Sequence, residues 1–202
     1  MLLLSVTDRA TPLLTRLYDR VAPGRRQPLL RVLGRRLEHS LRKHFQTRDA
    51  EGNKRGWPRS HFWNRLRRAT AFAGATDTAA KVTVADPALA MKVHGGTIRP
   101  IQAKALAIPL RAEAKVAGRP SARLIPGLFI LKSARGGVFL ARREDRALRI
   151  YYKLVKSVTQ QADPRALPLR HLVLADLHAA TTSFLKRDVK RGLAPASSIA
   201  GL

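Results

Sequence analysis

Cysteine is absent from this chain. Its absence excludes a disulfide scaffold, a thiol nucleophile and any Cys-ligated zinc or iron–sulfur site. Acidic residues are scarce: 13 Asp and Glu stand against 39 Lys and Arg, a net charge of +26. Glu144-Asp145 is the single adjacent carboxylate pair, and its neighbours mark a solvated turn rather than an acid/base couple. Aromatic residues make up only 5% of the chain, so core volume must come mostly from Leu, Val, Ile and Ala. No run approaches the roughly 20 apolar residues of a membrane span. The opening Met1-Leu2-Leu3-Leu4 is too short for a signal sequence and is followed by Asp8 and Arg9. The expectation is a soluble protein made and used without export.

What is present is a globular composition, with 45% hydrophobic residues in 202, enough for one domain with a real core. The positive excess predicts attraction to polyanions: nucleic acid, an acidic protein surface or an anionic membrane. It is dispersed. Positions 1–70 hold 17 basic and 5 acidic residues, 71–120 hold 7 and 3, and 121–202 hold 15 and 5. A dispersed excess suits a protein in a charged environment better than one with a single binding stripe. Arg greatly outnumbers Lys, which a GC-rich genome alone can produce.

The helical periodicity is plain. Thr11-Pro12 opens a first helix in which Leu13, Leu14, Leu17 and Val21 share a face, and Pro23-Gly24 ends it. Gln27-Pro28 opens a longer one, with Leu30, Leu33, Leu37, Leu41 and Phe45 recurring every three or four residues and Arg31, Arg35, Arg36, Arg42 and Lys43 on other faces. Gly34 within it costs about 1 kcal/mol relative to Ala, which points to close packing or a kink. Gln46 to Arg59 reads as a polar loop anchored by Trp57. Asp49 and Glu51 lack the spaced ligand set of a calcium loop. Ser60 caps a third helix whose Phe62, Leu66 and Ala69 form the apolar side, beside Trp63. Its Arg65, Arg67 and Arg68 are candidate phosphate contacts, against the plainer reading of a solvated face over a packed Trp.

Strands follow. Lys81 to Ala85 alternates and reads as the first, and Ala105 to Leu110 as the second. Glu113 to Ser121 reads as an exposed loop. Leu128–Ser133 and Val138–Arg142 flank Ala134-Arg135-Gly136-Gly137 as a hairpin. Leu148 to Val155 returns as the last strand of a meander, with Tyr151 and Tyr152 on opposite faces. Arg142 and Arg143 join the candidate polyanion contacts. A final helix runs from about Leu169 to Arg191, with Leu174, Leu177, Phe184 and Leu185 on one side. Lys186, Arg187, Lys190 and Arg191 crowd its last turns. The fold class is therefore α+β: an antiparallel sheet of about four to five strands packed by N-terminal helices and a C-terminal helix. Residues 1–24 form a helical extension, 25–192 one α+β domain and 193–202 a flexible tail.

No catalytic pattern emerges. The histidines His39, His44, His61, His94, His171 and His178 show no metal-protease spacing. There is no nucleophile elbow and no phosphate-binding Walker loop. Gly95-Gly96-Thr97 before a strand fits a turn better than a phosphate nest. A non-enzymatic protein without cofactor or metal is expected.

One order of segments carries a resemblance: a helix ending in Phe45, a loop with Gly52 closing on Trp57, then Gly96-Thr97-Ile98-Arg99-Pro100, Lys104 to Leu110, and Tyr152, Leu154, Val155 and Val158. This order, over roughly 29–169, resembles the phage virion morphogenesis family, the Mu-type tail-completion or neck proteins of tailed bacteriophages. The chain departs from the pattern after Val158, where Asp163-Pro164-Arg165-Ala166-Leu167-Pro168 replaces a basic-Pro-aromatic segment. The resemblance implies a structural virion protein acting in tail completion and head–tail joining as a ring at the neck, commonly six-fold. It implies connector, neck and tail-tube partners and assembly in the host cytoplasm; in such a ring the positive charge would favour either genomic DNA passing through the lumen or an acidic partner ring. The rival is a cytosolic nucleic-acid-binding protein using the Arg-rich helices without a ring; a membrane-surface protein ranks below both.

Overall fold

The computed structural model describes residues 10–51, 59–116, 119–120, 122–145 and 147–193. Trp57 and the rest of the loop expected to close on it lie outside the described residues. The architecture is mixed α+β with antiparallel strand pairing throughout, and its largest sheet has four strands. The chain divides into two units. Unit 1 takes the described parts of Met1–His44, Arg68–Ala85 and Pro168–Leu202; unit 2 takes those of Phe45–Arg67 and Asp86–Leu167.

Unit 1 begins with α1 (Ala10–Val21). Leu13, Leu17 and Val21 are half-buried. Leu14, expected beside them, is 62% exposed with Tyr18 at 67%. The 100° step per residue places Leu14 one position round from the 13-17-21 line, so it leaves the covered face. Arg26 Nε donates to the Val21 carbonyl at 2.6 Å and closes the helix end.

Helix α2 (Gln27–Ala50) supplies unit 1 with its residues 27–44. Gly34 is buried because the side chain of Phe72 lies against it. A Cβ there would stand 2.7 Å from Phe72 Cδ2 and 3.0 Å from Ala80 Cβ. The glycine expected from the sequence to mark close packing does so. Glu38 is buried between Arg35 (3.3 Å) and Arg42 (3.1 Å). Arg42 in turn donates from Nε and Nη2 to the carbonyl of buried Thr70. That carbonyl begins β1 (Thr70–Ala75), which pairs with β2 (Ala80–Val84). Strand β1 was not legible: its Thr-Ala-Phe-Ala-Gly-Ala run has little β-propensity, and the ladder with β2 supplies what the sequence does not. Helix α5 (Arg170–Leu193) completes the unit. Leu177, Phe184 and Leu185 are half-buried as expected, but Leu174 is exposed, and Val173 takes the covered position instead.

Unit 2 opens with the end of α2. The polar run from Gln46 to Ala50, expected as loop, stays helical. Arg48 holds it. Its guanidinium lies 4.8 Å from the Trp63 ring centroid and pairs with Glu51 at 2.6 Å and Asp163 at 2.7 Å. Helix α3 (Phe62–Ala69) lies partly in this unit. Its cap is not Ser60. The Asn64 N–H donates to Asp49 Oδ1 at 3.1 Å, and Asp49 Oδ2 meets His61 Nδ1 at 2.9 Å, so a carboxylate from the preceding helix satisfies the free helix end. Phe45 and Leu66 are fully buried, and Phe45 stacks on Trp63 with ring centroids 6.0 Å apart.

The four-stranded sheet has the order β4 (Leu106–Pro109), β9 (Ala147–Val155), β8 (Val138–Glu144), β7 (Phe129–Lys132). Tyr151 and Tyr152 do not take opposite faces. The β8–β9 register runs Leu140↔Tyr152, then Ala141↔Ile150, so Tyr151 is the extra residue of a bulge and both tyrosines are buried. Tyr152 donates its hydroxyl to the carbonyl of Ala114, which is fully buried in a 3-10 turn at Ala112–Ala114. The stretch expected to be an exposed loop therefore closes the tyrosine core. It also contains the short ladder β5 (Lys115–Val116) and β6 (Arg119–Pro120). Ahead of the sheet, the Asp86-Pro87 turn leads into α4 (Ala88–His94), which ends at Gly95. Then β3 (Gly96–Ile98) pairs with β10 (Val158–Gln160), a ladder too short for alternation to reveal.

Candidate polyanion-contact residues

The five arginines singled out as polyanion contacts meet three different fates. Arg65 is held by a carboxylate: its Nε donates to Asp86 Oδ2 at 2.7 Å, and its guanidinium stands 5.4 Å from the Phe62 ring. The other oxygen of Asp86 accepts the Ala88 N–H at 3.0 Å, so one carboxylate serves both the arginine and the start of α4. Arg67 is half-buried and bonded to Asn64 at 3.0 Å. Arg68 is exposed, and no ion pair forms to it among the described residues. On helix α3, then, Arg65 is paired with a carboxylate, Arg67 is bonded to a neutral amide, and Arg68 is exposed.

Arg142 and Arg143 point to opposite faces of β8, as strand alternation requires. Arg143 is exposed and without an ion pair among the described residues. Arg142 sits in a cluster that was not foreseen. Glu144 takes Arg149 at 3.3 Å, Arg142 at 3.6 Å and the Tyr151 hydroxyl at 2.5 Å. Arg111 is anchored nearby, donating from Nε to the Ile150 carbonyl at 3.2 Å. The Tyr151 hydroxyl holds the Glu144 carboxyl below its ordinary range, burial opposes it, and Arg149 and Arg142 add to the lowering. The same bond raises the Tyr151 phenol, with burial acting in the same direction. The signal was available in the sequence. Counting outward from Glu144↔Ala147 across the turn places Arg142 opposite Arg149.

The departing segment 163–168 has a structural account. Asp163 accepts Arg48 and the Arg165 N–H (2.9 Å), Arg165 pairs with Glu51, and Ala166 is buried. This network ties the segment to the end of α2 through charges of both signs. Gly95 needs its positive φ of 70° and its missing side chain: a Cβ would lie 2.8 Å from the Gln160 carbonyl oxygen. Its N–H already donates to the Met91 carbonyl at 3.0 Å, so the Gly-Gly pair works as a helix stop and strand start rather than a nest. Among the described residues, no group of three or more His, Asp or Glu is placed to hold a metal ion. No described helix is long and apolar enough to cross a membrane.

A further exposed feature is the β7 edge of the four-stranded sheet. Among the described residues β7 pairs with β8 alone, so its outer edge is open. Phe129 is 42% and Ile130 63% exposed on it. No protein-family model, curated protein or solved structure matches this chain.

Proposed function

We propose that this chain is a structural virion protein of a tailed phage, acting in tail completion and head–tail joining as a ring at the neck. The observation that carries the reading is the open β7 edge with its exposed Phe129 and Ile130. An apolar strand edge is a template for another chain, and proteins that remain monomers blunt such edges. Head-to-tail contacts between copies close into a ring when their rotation permits. The segments behind the family resemblance also meet in the fold: the Gly96-Thr97-Ile98 strand pairs with the Val158 strand, and the Leu106–Pro109 strand pairs with the Tyr152–Val155 strand. They form two ladders in two separate sheets, each joining an earlier segment of the resemblance to a later one, which supports reading them together. The connector, tail-tube proteins and DNA in the lumen are the partners this reading implies, with the virion as its location.

Mass photometry of the purified chain without nucleic acid, at moderate and high salt, tests it. A discrete ring-sized species, near six copies, is expected, and Ile130→Lys should dissolve it. A strict monomer at both salts overturns the ring and favours the rival, a nucleic-acid-binding protein acting alone.

A further inference from the structure

Unit 1 holds a groove of about 410 Å³ between α2 and α5. Its polar lining is Arg35, Arg36 and His39 from α2, and Ser183 and Arg187 from α5; its floor is made of small apolar side chains. No carboxylate is among its described lining residues, although Asp176 of α5 pairs with Arg36. A second cavity of about 410 Å³ in the same unit carries Asp19 and Asp77 beside Arg20 and Arg25, so its charges are balanced within the lining.

The three groove arginines are held in place without being used up. Arg36 is clasped at Nε and Nη2 by Asp176 Oδ1. Arg35 gives one N–H from Nη1 to Glu38 and lies 4.7 Å from the Phe72 ring centroid. Arg187 gives its Nε–H to the Ser183 carbonyl at 3.3 Å. A guanidinium has five N–H donors. Among the described residues each of these therefore has at least three without a partner while its fork is already oriented, which reduces the ordering cost of binding an anion.

We propose that the α2–α5 groove binds the phosphodiester backbone of nucleic acid, with Arg35, Arg36 and Arg187 as its phosphate contacts. Fixed planar forks along an open groove match the repeating phosphates of a duplex, and no Phe, Tyr or Trp is among its described lining residues, so binding is independent of sequence. The proposal goes beyond the ring reading and holds for a monomer as well as for an assembled protein.

The test uses the full chain and short duplex DNA, titrated by fluorescence anisotropy across a range of salt. Arg187→Gln is expected to weaken binding about eight-fold at roughly 0.1 M salt and to lower the salt slope by about one. Ser183→Glu keeps every arginine but places a carboxylate in the groove, and should weaken binding at least as much. Arg36→Gln combined with Asp176→Asn leaves net charge unchanged and still removes one fork, so a loss there cannot come from bulk charge. Arg143→Gln, which removes one charge outside the groove, should stay within two-fold of the parent. Equal losses in Arg143→Gln and Arg187→Gln would show diffuse attraction and overturn the site. So would unchanged affinity in Ser183→Glu. A third result would also overturn it: groove variants that lose binding to polyglutamate but not to DNA, which would assign the groove to an acidic protein surface. Circular dichroism of each variant separates a lost site from a lost fold.

Discussion

The two units bury different chemistry. Of the buried hydrophobic residues among those described, Leu29 lies in unit 1, while Phe45, Leu66, Ala114, Ala141, Tyr151, Tyr152 and Ala166 lie in unit 2. Both buried polar residues, Glu38 and Thr70, belong to unit 1. Unit 2 is an aromatic-filled sheet of the ordinary kind. Unit 1 covers its helices only partly and relies on a polar anchor, Glu38–Arg42–Thr70, to hold α2 on its hairpin. Apolar burial is non-directional, whereas charge anchors fix orientation and weaken when a partner is lost. The unit with the thin core is also the one with the open cationic groove, where orientation of arginines matters more than depth of packing.

The comparison breaks most visibly at Phe45. Phe45→Ala removes a fully buried ring that stacks on Trp63 and should cost about 3–5 kcal/mol in urea unfolding. Leu29→Ala, its counterpart in unit 1, should cost less, about 2 kcal/mol, because that side chain sits at a partly covered helix face. A larger loss at Leu29 than at Phe45 would reverse the ranking of the two cores.

Arg48→Ala comes next. It strips Asp163 and Glu51 of their shared cation and Trp63 of its stacked guanidinium. Removing one partner of a fully buried pair costs about 3–5 kcal/mol, but Asp163 and Glu51 are 26% and 35% exposed, so about 2 kcal/mol is expected here. Hydrogen exchange should show the last turn of α2 opening first. Protection there equal to that of the parent protein would contradict the role given to Arg48.

Gly34→Ala sharpens the view of unit 1. An exposed helix would gain about 1 kcal/mol from this change. Here the new methyl meets Phe72 and Ala80, and overpacking costs about 1–3 kcal/mol, so a net loss near 1 kcal/mol is expected. Phe72→Ala in the same chain should return most of it. A gain from Gly34→Ala alone would mean that Phe72 swings away freely.

Much of the helical framework was legible because α1, α2 and α5 carry the 3.6-residue period over several turns. The β7–β8 hairpin was legible too: Ser133 and Gly136 close it, with Gly136 at φ 80° where a side chain is disfavoured. What escaped was set by residues far apart in sequence. Strand β1 exists through its register with β2, and Gly96–Ile98 through a partner some 60 positions away. Ala114 is buried because a tyrosine hydroxyl reaches its carbonyl, which a Gly/Pro-punctuated stretch cannot announce. The site fared worse than the fold. Arg65 and Arg67 were candidate polyanion contacts weighed against a solvated face, and the sequence did not show that Asp86 and Asn64 hold them. Arg35 and Arg36 were placed only off the apolar face of α2, and nothing local shows that α5 brings Ser183 and Arg187 against them.

The smallest effect concerns Tyr151 and Glu144, and it tests how far unit 2 also depends on polar anchoring. Tyr151→Phe keeps the ring and removes one hydrogen bond to a charged group, so at neutral pH a small loss of stability is expected, below that of the preceding variants. The pH dependence is more telling. The Glu144 carboxyl is lowered in the folded state, so its contribution is present above the unfolded carboxylate range near 4.3 and is lost as pH falls through the folded value. The Tyr151 phenol is raised, so its contribution is full below about 10 and is lost as pH rises through the folded value. One bond therefore stabilises the sheet between two limits, and Tyr151→Phe should flatten both the acid and the alkaline arms of a stability–pH curve measured by urea unfolding. An alkaline arm of full height in the variant would place that titration elsewhere, and the contrast between an apolar sheet and a polar helical unit would then be sharper than the Tyr151–Glu144 bond implies.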